Sequence, residues 1–512
     1  MSQRSHPGFL PRPAAVALVA TTVLFTAAGA LRAQAPTGVD LPVVEDTLDN
    51  GLRIVVLPRK SSPTVSFVVR YGVGSVNEHV GDTGISHLIE HMLFKGTTTV
   101  GTRNVEAEHA LFRRIDALQD SILELKGVRG VPTGARIRRM QRAMSTLGDS
   151  ARTFVVNNEF DRILSRNGAR NLNATTDDEA TTYYVELPAN RAKLWFVMEA
   201  DRMENPVFRE FYRERDVVAE ERRTRIEDNP AGLLYEEHLA SAFHVHPYGV
   251  PAIGYMSDIQ NLTREQARAY YEEYYGARNA VVAVVGDVQP DSVLQWADAY
   301  LGRVRPGRTP DPVLTKEPKQ RGERRNEVVF EAGSQLQIGW HVTSIFDADM
   351  PAVLMLSSIL TGGRTSRLEK RLVQDERIAT FVGSTVGPGE LYPALFSIQA
   401  VPRSPHTTEE LEAAIDEELD SLRHMPPDSS ELQRVRNQLE ASRIRRLESN
   451  LGLALQLASS VSEFGDWRTT FRFTDRLERV RPEDVRRIVR TYFTQENRTV
   501  TVLVPPEQGL AR

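Results

Sequence analysis

The pattern of apolar and polar positions predicts the same pair of elements twice in the chain. A helical pattern that starts at Arg264 leads into the apolar run 281–285, and one that starts at Pro482 leads into the strand-like run 500–504. A short, mainly apolar run bounded by polar residues is typical of a buried strand. One constant offset relates Glu265 to Glu483, Tyr274 to Tyr492, and Asn279 to Asn497. The chain therefore contains an internal duplication, and each copy closes with a helix and a buried strand.

A predicted linker separates the two halves, and a new series of predicted strands and helices follows it. Residues 303–325 are rich in proline, lysine and arginine, which is typical of a linker. Beyond it, 327–331 and 335–340 have strand patterns and 352–360 has a helical one. Because a chain of this length is too long for one ordinary core, we predict an α+β fold of two homologous halves, each a mixed or antiparallel sheet packed with helices. The halves are an N-terminal domain at 36–302 and a C-terminal domain at 326–512.

Residues 105–155 have a helical pattern of their own. Apolar residues at 111, 115, 118, 122 and 125 follow helical spacing, and the pattern resumes at 137 after a break at 127–134. This spacing predicts an exposed helical hairpin within the N-terminal half.

The N-terminus has the three parts of a secretory signal peptide, which we place at residues 1–35. Basic residues precede an apolar run at 14–30, and small residues follow at Ala33 and Ala35. The mature chain is then periplasmic or secreted and keeps no membrane span. An uncleaved anchor is the alternative, although the run is short for a span of roughly 20 residues.

The composition and charge argue against cysteine-dependent features and against a nucleic-acid partner. The 512-residue chain contains no cysteine, so it has neither a disulfide nor a lipoprotein attachment site. Its formal net charge is −5, and lysine and arginine are dispersed among acidic residues. Nucleic acid is therefore not expected as a partner.

The pattern HLIEH at residues 87–91 carries the most chemical information. In a helix, His87 and His91 project from one face and can bind one metal ion, while Glu90 can activate a water molecule beside it. The spacing is that of a catalytic zinc motif. The alternative is a pair of histidines on a buried helix face without a metal.

The neighbouring residues favour a helix at this point. Residues 81–86 offer turn and capping residues before it, Leu88 and Met92 contribute to a broad apolar surface, and residues 95–96 mark its predicted end. A helix this apolar is buried, so its polar side chains need partners. A metal would supply them.

A third metal ligand is expected from the acidic helical stretch 210–223. Glu214 and Glu221 are seven residues apart and lie on the same side of a helix, whereas Glu220 points away. Because a catalytic zinc site usually takes three protein ligands, we predict Glu221 as the third ligand and Glu214 as its supporting companion. A solvated helix held by ion pairs is the alternative.

Five ordered segments resemble the signatures of the pitrilysin/insulinase family of zinc peptidases, in particular its half-size members related to the mitochondrial processing peptidase. They are residues 87–97, 173–176, 184–188, 215–221 and 246–249, and the similarity runs from about residue 43 to the end. The resemblance implies two halves that enclose a cleft, with one Zn²⁺ per chain. It implies His87, His91 and Glu221 as the zinc ligands and Glu90 as the catalytic base. It matches Glu214 to a further glutamate of the same active-site helix.

The resemblance also implies a substrate site. Asn173 and Ala174 match an edge segment that hydrogen-bonds the peptide substrate as an added strand. A solvated turn is the alternative for Asn173. The gap between His91 and Glu221 is longer than the family usually shows, and the excess falls at about residues 105–155, so the predicted hairpin is an insert.

One departure from the family bears on activity. Active members carry an arginine and a tyrosine in the second half, at positions that here hold Val373 and Thr380. Neither side chain can stabilise an oxyanion as that pair does. We therefore expect a second, related subunit to supply the pair in a heterodimer, with a homodimer as a further arrangement. Arg371, Arg377 or Tyr392 could substitute instead.

Together these features predict an exported zinc-dependent endopeptidase subunit that hydrolyses extended peptides or unfolded segments. The alternative is a non-catalytic structural core subunit of the same fold.

Overall fold

Two β-sheets, one in each half of the chain, organise the fold. The computed structural model describes residues 41–129 and 132–506, so the predicted signal peptide at 1–35 lies outside the described residues. The first sheet contains β1 (Val44–Thr47), β2 (Arg53–Pro58), β3 (Thr64–Tyr71), β4 (Arg170–Thr176), β5 (Thr181–Pro188) and β6 (Ala280–Gly286). The second contains β7 (Arg324–Val329), β8 (Gln335–His341), β9 (Ala379–Gly387), β10 (Leu395–Pro402) and β11 (Arg498–Val504).

The helices surround these sheets. Those of the N-terminal half are α1 (Ile85–Met92), α2 (Val105–Gly127), α3 (Gly134–Arg152), α4 (Glu159–Arg166), α5 (Ala192–Glu204), α6 (Phe211–Arg222), α7 (Pro230–Ala242), α8 (Met256–Ile259), α9 (Arg264–Tyr274) and α10 (Pro290–Trp296). Those of the C-terminal half are α11 (Met350–Thr361), α12 (Thr408–His424), α13 (Ser429–Glu448), α14 (Asn450–Phe464), α15 (Thr469–Glu478) and α16 (Pro482–Tyr492).

The two sheets share one strand order. The first runs β1-β2-β6-β3-β5-β4 and the second β7-β11-β8-β10-β9. In each sheet one pair is parallel, β2 with β6 and β7 with β11, and the other neighbours are antiparallel. Without β1, the second order repeats the first strand for strand. The predicted α+β fold of two homologous halves is confirmed, and the repeat seen in the sequence corresponds to α9 with β6 and α16 with β11.

The central strands β2, β6 and β3 of the first sheet are buried on both faces. Every residue of β6 is buried, as its apolar sequence predicts. Because successive side chains of a strand point to opposite faces, Val282 and Val284 join the main N-terminal core, while Val281 and Val285 face the other side. That second face is covered by α14, which comes from the C-terminal half.

Each half covers the sheet of the other with one helix. α14 packs on β3 and β6, and α7 of the N-terminal half packs on β7, β8 and β11. Leu453, Leu457 and Val461 of α14 are fully buried in this contact. Burying a side chain of this size contributes roughly 1.5–3 kcal/mol. The two halves are therefore joined by apolar packing as well as by the chain that connects them.

α2 and α3 form the predicted helical hairpin. They pack against each other, and both lie within residues 105–155. The side chain of Asn104 accepts a hydrogen bond from the N–H of Ala107 and so caps α2. Glu108 forms a buried ion pair with Arg209 at 3.1 Å, which ties the hairpin to the residues that precede α6.

Residues 305–321, inside the predicted linker, form no helix or strand. The domain boundaries at 302 and 326 stay predictions. Within the two described ranges, no helix has the length and apolar character that crossing a membrane requires.

Candidate metal centre

α1 starts at a tight turn that favours glycine. Gly84 has a φ of 86°, and a Cβ there would lie 2.6 Å from the carbonyl oxygen of Ile253. The buried carboxylate of Glu78 accepts hydrogen bonds from the N–H groups of Gly84 at 2.7 Å and Ser86 at 2.8 Å. Burial raises the pKa of Glu78 to about 8. The capping side chain therefore lies outside the predicted segment 81–86.

The end of α1 also differs from the sequence prediction. The helix stops at Met92 rather than at residues 95–96. Gly96 lies in a following turn with a φ of 88°, where a Cβ would lie 2.4 Å from the carbonyl oxygen of Val100. The helix therefore ends one residue after His91, and the turn follows directly.

His87 and His91 on α1 meet Glu221 on α6. One donor atom from each residue lies within 4.8 Å of the other two, and no other such group of metal-binding side chains occurs in the described ranges. Oε2 of Glu221 is 3.7 Å from Nε2 of His87 and 3.4 Å from Nε2 of His91. Two imidazoles and one carboxylate are a donor set that zinc takes at catalytic sites. The residues therefore fit a zinc ion.

Burial and charge set the protonation of these ligands. Burial, reinforced by the nearby His91, lowers the pKa of His87 to about 4, so its ring is neutral at pH 7. Burial also acts to lower the pKa of His91, but its contacts with Glu214 and Glu221 outweigh burial and raise it to about 9. The contact with His91 lowers the pKa of Glu221. A metal ion would replace the proton on His91 as the charge that faces Glu221.

The predicted base Glu90 is held by a residue from β4. The hydroxyl of Thr176 donates to Oε2 of Glu90 at 2.5 Å. Burial raises the pKa of Glu90, although the hydrogen bond from Thr176 opposes the shift. A raised pKa suits a carboxylate that must take up a proton near neutral pH. Sequence reasoning had assigned no role to Thr176.

Asn173 and Ala174 lie on the edge strand that ends at Thr176. β4 is the last strand of its sheet, and it pairs with β5 through Asn173 with Tyr184 and Ala174 with Tyr183. Asn173 is therefore in a strand and not in a solvated turn. The outer edge of β4 is free of strand partners in the described part of the chain, as an added peptide strand would require.

Glu214 lies behind His91. Its Oε2 is 3.7 Å from Nδ1 of His91, and its Oε1 is 2.5 Å from Nζ of Lys95. Burial acts to raise the pKa of Glu214, but the contacts with His91 and Lys95 bring it below the ordinary value. Glu220, in contrast, points to solvent and pairs with Arg223, as the helical spacing predicted.

One further cation touches a proposed ligand. Nη2 of Arg225, in the π-helical turn that follows α6, is 2.9 Å from Oε1 of Glu221. The i,i+4 spacing of an acid and an arginine could have signalled this contact. The contact between Lys95 and Glu214 has no such signal, because the two residues are far apart in the sequence.

The residues of the second half that bear on oxyanion stabilisation make contacts within the chain. Val373 packs against the C-terminal core, and the hydroxyl of Thr380 donates to the carbonyl of Val401. Arg371 is held by Glu376 and Glu417, Arg377 contacts the carbonyl of Gln374, and the hydroxyl of Tyr392 accepts from the N–H of Val313.

Two family models match the chain. The model described as Insulinase (Peptidase family M16) matches residues 54–111 and 150–254. The model described as Peptidase M16 inactive domain matches residues 261–439. The chain belongs to the M16, or insulinase, family of peptidases. The first match is interrupted between 111 and 150, where most of the α2–α3 hairpin lies, which agrees with an insert.

Relatives of this M16 chain are named as zinc proteases. Zinc protease PqqE of Helicobacter pylori is 31% identical over 343 residues, which are 65% of this chain and 64% of that protein. A probable mitochondrial-processing peptidase subunit beta of Arabidopsis thaliana is 22% identical over 482 residues, which are 90% of this chain and 78% of that protein.

Solved structures share the fold over nearly the whole described chain. The crystal structure of a protease from Helicobacter pylori aligns with a TM-score of 0.76 at 26% identity and covers 91% of this chain and 100% of that one. The periplasmic protease PqqL from Escherichia coli aligns with a TM-score of 0.66 at 17% identity and covers 92% of this chain and 48% of that one. The second likeness concerns the fold alone.

Proposed function

We propose that this chain is a zinc-dependent endopeptidase subunit in which His87, His91 and Glu221 bind one Zn²⁺. The observation that carries the proposal is the convergence of these three donor atoms within 4.8 Å, with Glu90 in the same short helix. Membership of a family whose members are named zinc proteases supports the choice of metal.

Glu90 is the proposed general base. A zinc ion held by His87, His91 and Glu221 would act as a Lewis acid toward the scissile carbonyl and would lower the pKa of a water molecule. The carboxylate of Glu90 then takes a proton from the attacking water and passes it to the leaving amine. The hydroxyl of Thr176 holds one carboxylate oxygen and leaves the other for this transfer.

Extended peptides or unfolded segments are the proposed substrates. A peptide added along the free edge of β4 would form main-chain hydrogen bonds beside Asn173 and Ala174, and such bonds tolerate many sequences. The strand continues directly to Thr176 and its contact with Glu90. A peptide bound along β4 would therefore extend toward Glu90, the proposed base.

We infer that the mature chain is periplasmic or secreted and works with a second, related subunit. The predicted signal peptide supports export. Val373 and Thr380 at the positions of the arginine and tyrosine, and the ion pair of Arg371 with Glu417, support an oxyanion pair from another chain. A homodimer is the other arrangement.

Hydrolysis of a quenched, unstructured peptide by the purified mature chain tests the proposal. The wild type is compared with Glu90→Gln, and zinc content is measured for both. The amide cannot act as a base, so the variant should keep one zinc and lose hydrolysis. Loss of zinc in Glu90→Gln would contradict its role as base.

The partner is tested in the same assay. If the wild type cleaves alone, the inference of a second chain fails. If it binds zinc but cleaves only after a related chain with the arginine and tyrosine is added, the two-chain peptidase is supported. A chain that binds no zinc and never cleaves would favour the alternative, a non-catalytic structural core subunit.

A further inference from the structure

We propose that Lys95 is a positioning residue for the metal centre, which fixes Glu214 and through it the imidazole of His91. The inference rests on the proposed zinc function. It concerns a residue that neither binds the metal nor touches the substrate. Its effect would therefore be transmitted through contacts behind the ligands.

The contacts form a continuous path from Lys95 to His91. Nε2 of His91 faces Glu221, and the opposite nitrogen, Nδ1, lies 3.7 Å from Oε2 of Glu214. The other carboxylate oxygen of Glu214 lies 2.5 Å from Nζ of Lys95. The two oxygens of one carboxylate thus face a ligand on one side and an ammonium group on the other.

The burial of Glu214 makes its second partner important. Its side chain is only 12% exposed. Water therefore cannot readily replace the ammonium group of Lys95 as the partner of Oε1 of Glu214. A buried carboxylate without a partner carries a desolvation cost. Glu214 would then turn toward another donor or draw more strongly on the proton of His91, and either change disturbs the ligand.

The backbone of Lys95 is fixed by hydrogen bonds to both its N–H group and its carbonyl group. Its N–H donates to the carbonyl of Met92 at 3.0 Å, and its own carbonyl accepts from Nη1 of Arg209 at 3.0 Å. Arg209 is 1% exposed and is paired with Glu108 of α2. The ammonium group therefore starts from a fixed backbone, and its reach to Glu214 does not depend on a mobile loop.

Residues behind metal ligands orient them, and their removal typically weakens metal binding about 10–100-fold. We expect this range for Lys95→Met, measured as the zinc dissociation constant of the apoprotein by competition with a chromophoric chelator. Lys95→Arg should restore binding to within a few-fold, because a guanidinium group can also hold the carboxylate. Lys126→Met is the matched control: it removes a lysine whose Nζ bonds Asn261 at 2.6 Å, away from the metal centre.

A double-mutant cycle tests whether Lys95 acts through Glu214. In a Glu214→Gln background, Lys95→Met should cost little further affinity, since the carboxylate it fixes is gone. Equal losses in both backgrounds would overturn the proposal. Lys95→Gln gives a second variant if the methionine variant does not fold, as judged by the thermal midpoint of the apoprotein.

The outcome separates this inference from the proposed function. A wild-type chain that binds no zinc overturns the proposed function, and the role of Lys95 falls with it. A wild type that binds zinc, together with a Lys95→Met variant that binds it equally well, overturns the role of Lys95 alone.

Discussion

α1 and α11 hold equivalent places in the two halves, and both are buried, but only α1 carries the residues of the candidate metal centre. α1 follows β3 and α11 follows β8, the matching strands of the two sheets. α1 carries His87, Glu90 and His91, whereas α11 buries apolar side chains such as Val353 and Leu356. The same scaffold accepts either helix. Buried polar side chains need partners that apolar ones do not. Within the described ranges, the group that could hold a metal lies in the N-terminal half.

α6 and α13 differ in the same way. Each is the second α-helix after one of two matching strands: α6 is the second after β5, and α13 is the second after β10. On α6, Glu214 and Glu221 face the imidazoles of α1. On α13, Glu431 is bound by Nε of Arg367 at 2.7 Å and so is already paired. Within the described ranges, acids on this helix face imidazoles in the N-terminal half alone.

Removal of one histidine from α1 should have the largest effect. His91→Ala should lose stoichiometric zinc, since it leaves two of the three protein ligands that a catalytic site usually needs. Metal content after dialysis, measured by mass spectrometry, should fall well below one zinc per chain. His109→Ala, on the hairpin, is the control and should keep its zinc. A full zinc in His91→Ala would remove His91 from the ligand set.

The matching test in the C-terminal half should affect folding and not metal. Leu356 is fully buried on α11, and Leu356→Ala should lower the free energy of unfolding by about 2–5 kcal/mol through lost burial and the cavity it leaves. Urea unfolding measures the change. The folded variant should bind zinc with unchanged affinity. Weaker zinc binding by that folded variant would show that α11 also supports the metal centre.

Much of this contrast could be predicted from local sequence. The four-residue spacing of His87 and His91 and the seven-residue spacing of Glu214 and Glu221 place each pair on one helix face. The meeting of α1 with α6 followed from chemistry, because two imidazoles need a third ligand. The duplication with a constant offset predicted that the two halves would share a fold.

Other features depend on contacts between distant residues that carry no local signal. Nothing in its residue type marks Thr176 as the partner of Glu90, and Glu78 caps α1 from outside the expected turn. The apolar faces of α7 and α14 predict burial, but not that each would cover the sheet of the other half. Pairings of this kind are set by tertiary packing.

The halves also meet through acidic residues. In the loop between β4 and β5, Glu179 accepts hydrogen bonds from the N–H groups of Glu390 at 3.0 Å and Leu391 at 2.7 Å in the C-terminal half. Beside it, Asp178 is buried and accepts a hydrogen bond from the hydroxyl of Ser75. Burial, reinforced by the charges of Asp177 and Glu179, raises the pKa of Asp178 to about 7.

The last expected effect is a pH dependence of the free energy of unfolding that comes from Asp178. The folded chain keeps a proton on Asp178 up to a pH of about 7, whereas the unfolded chain loses it near the ordinary value of 3.8. Between these values the folded state binds more protons, so this group's contribution to the free energy of unfolding falls as the pH rises. Asp178→Asn should therefore be more stable than the wild type at pH 8, and the difference should shrink toward pH 4. Urea unfolding at both pH values measures the difference. A variant less stable than the wild type at pH 8 would mean that the charged carboxylate stabilises the folded chain.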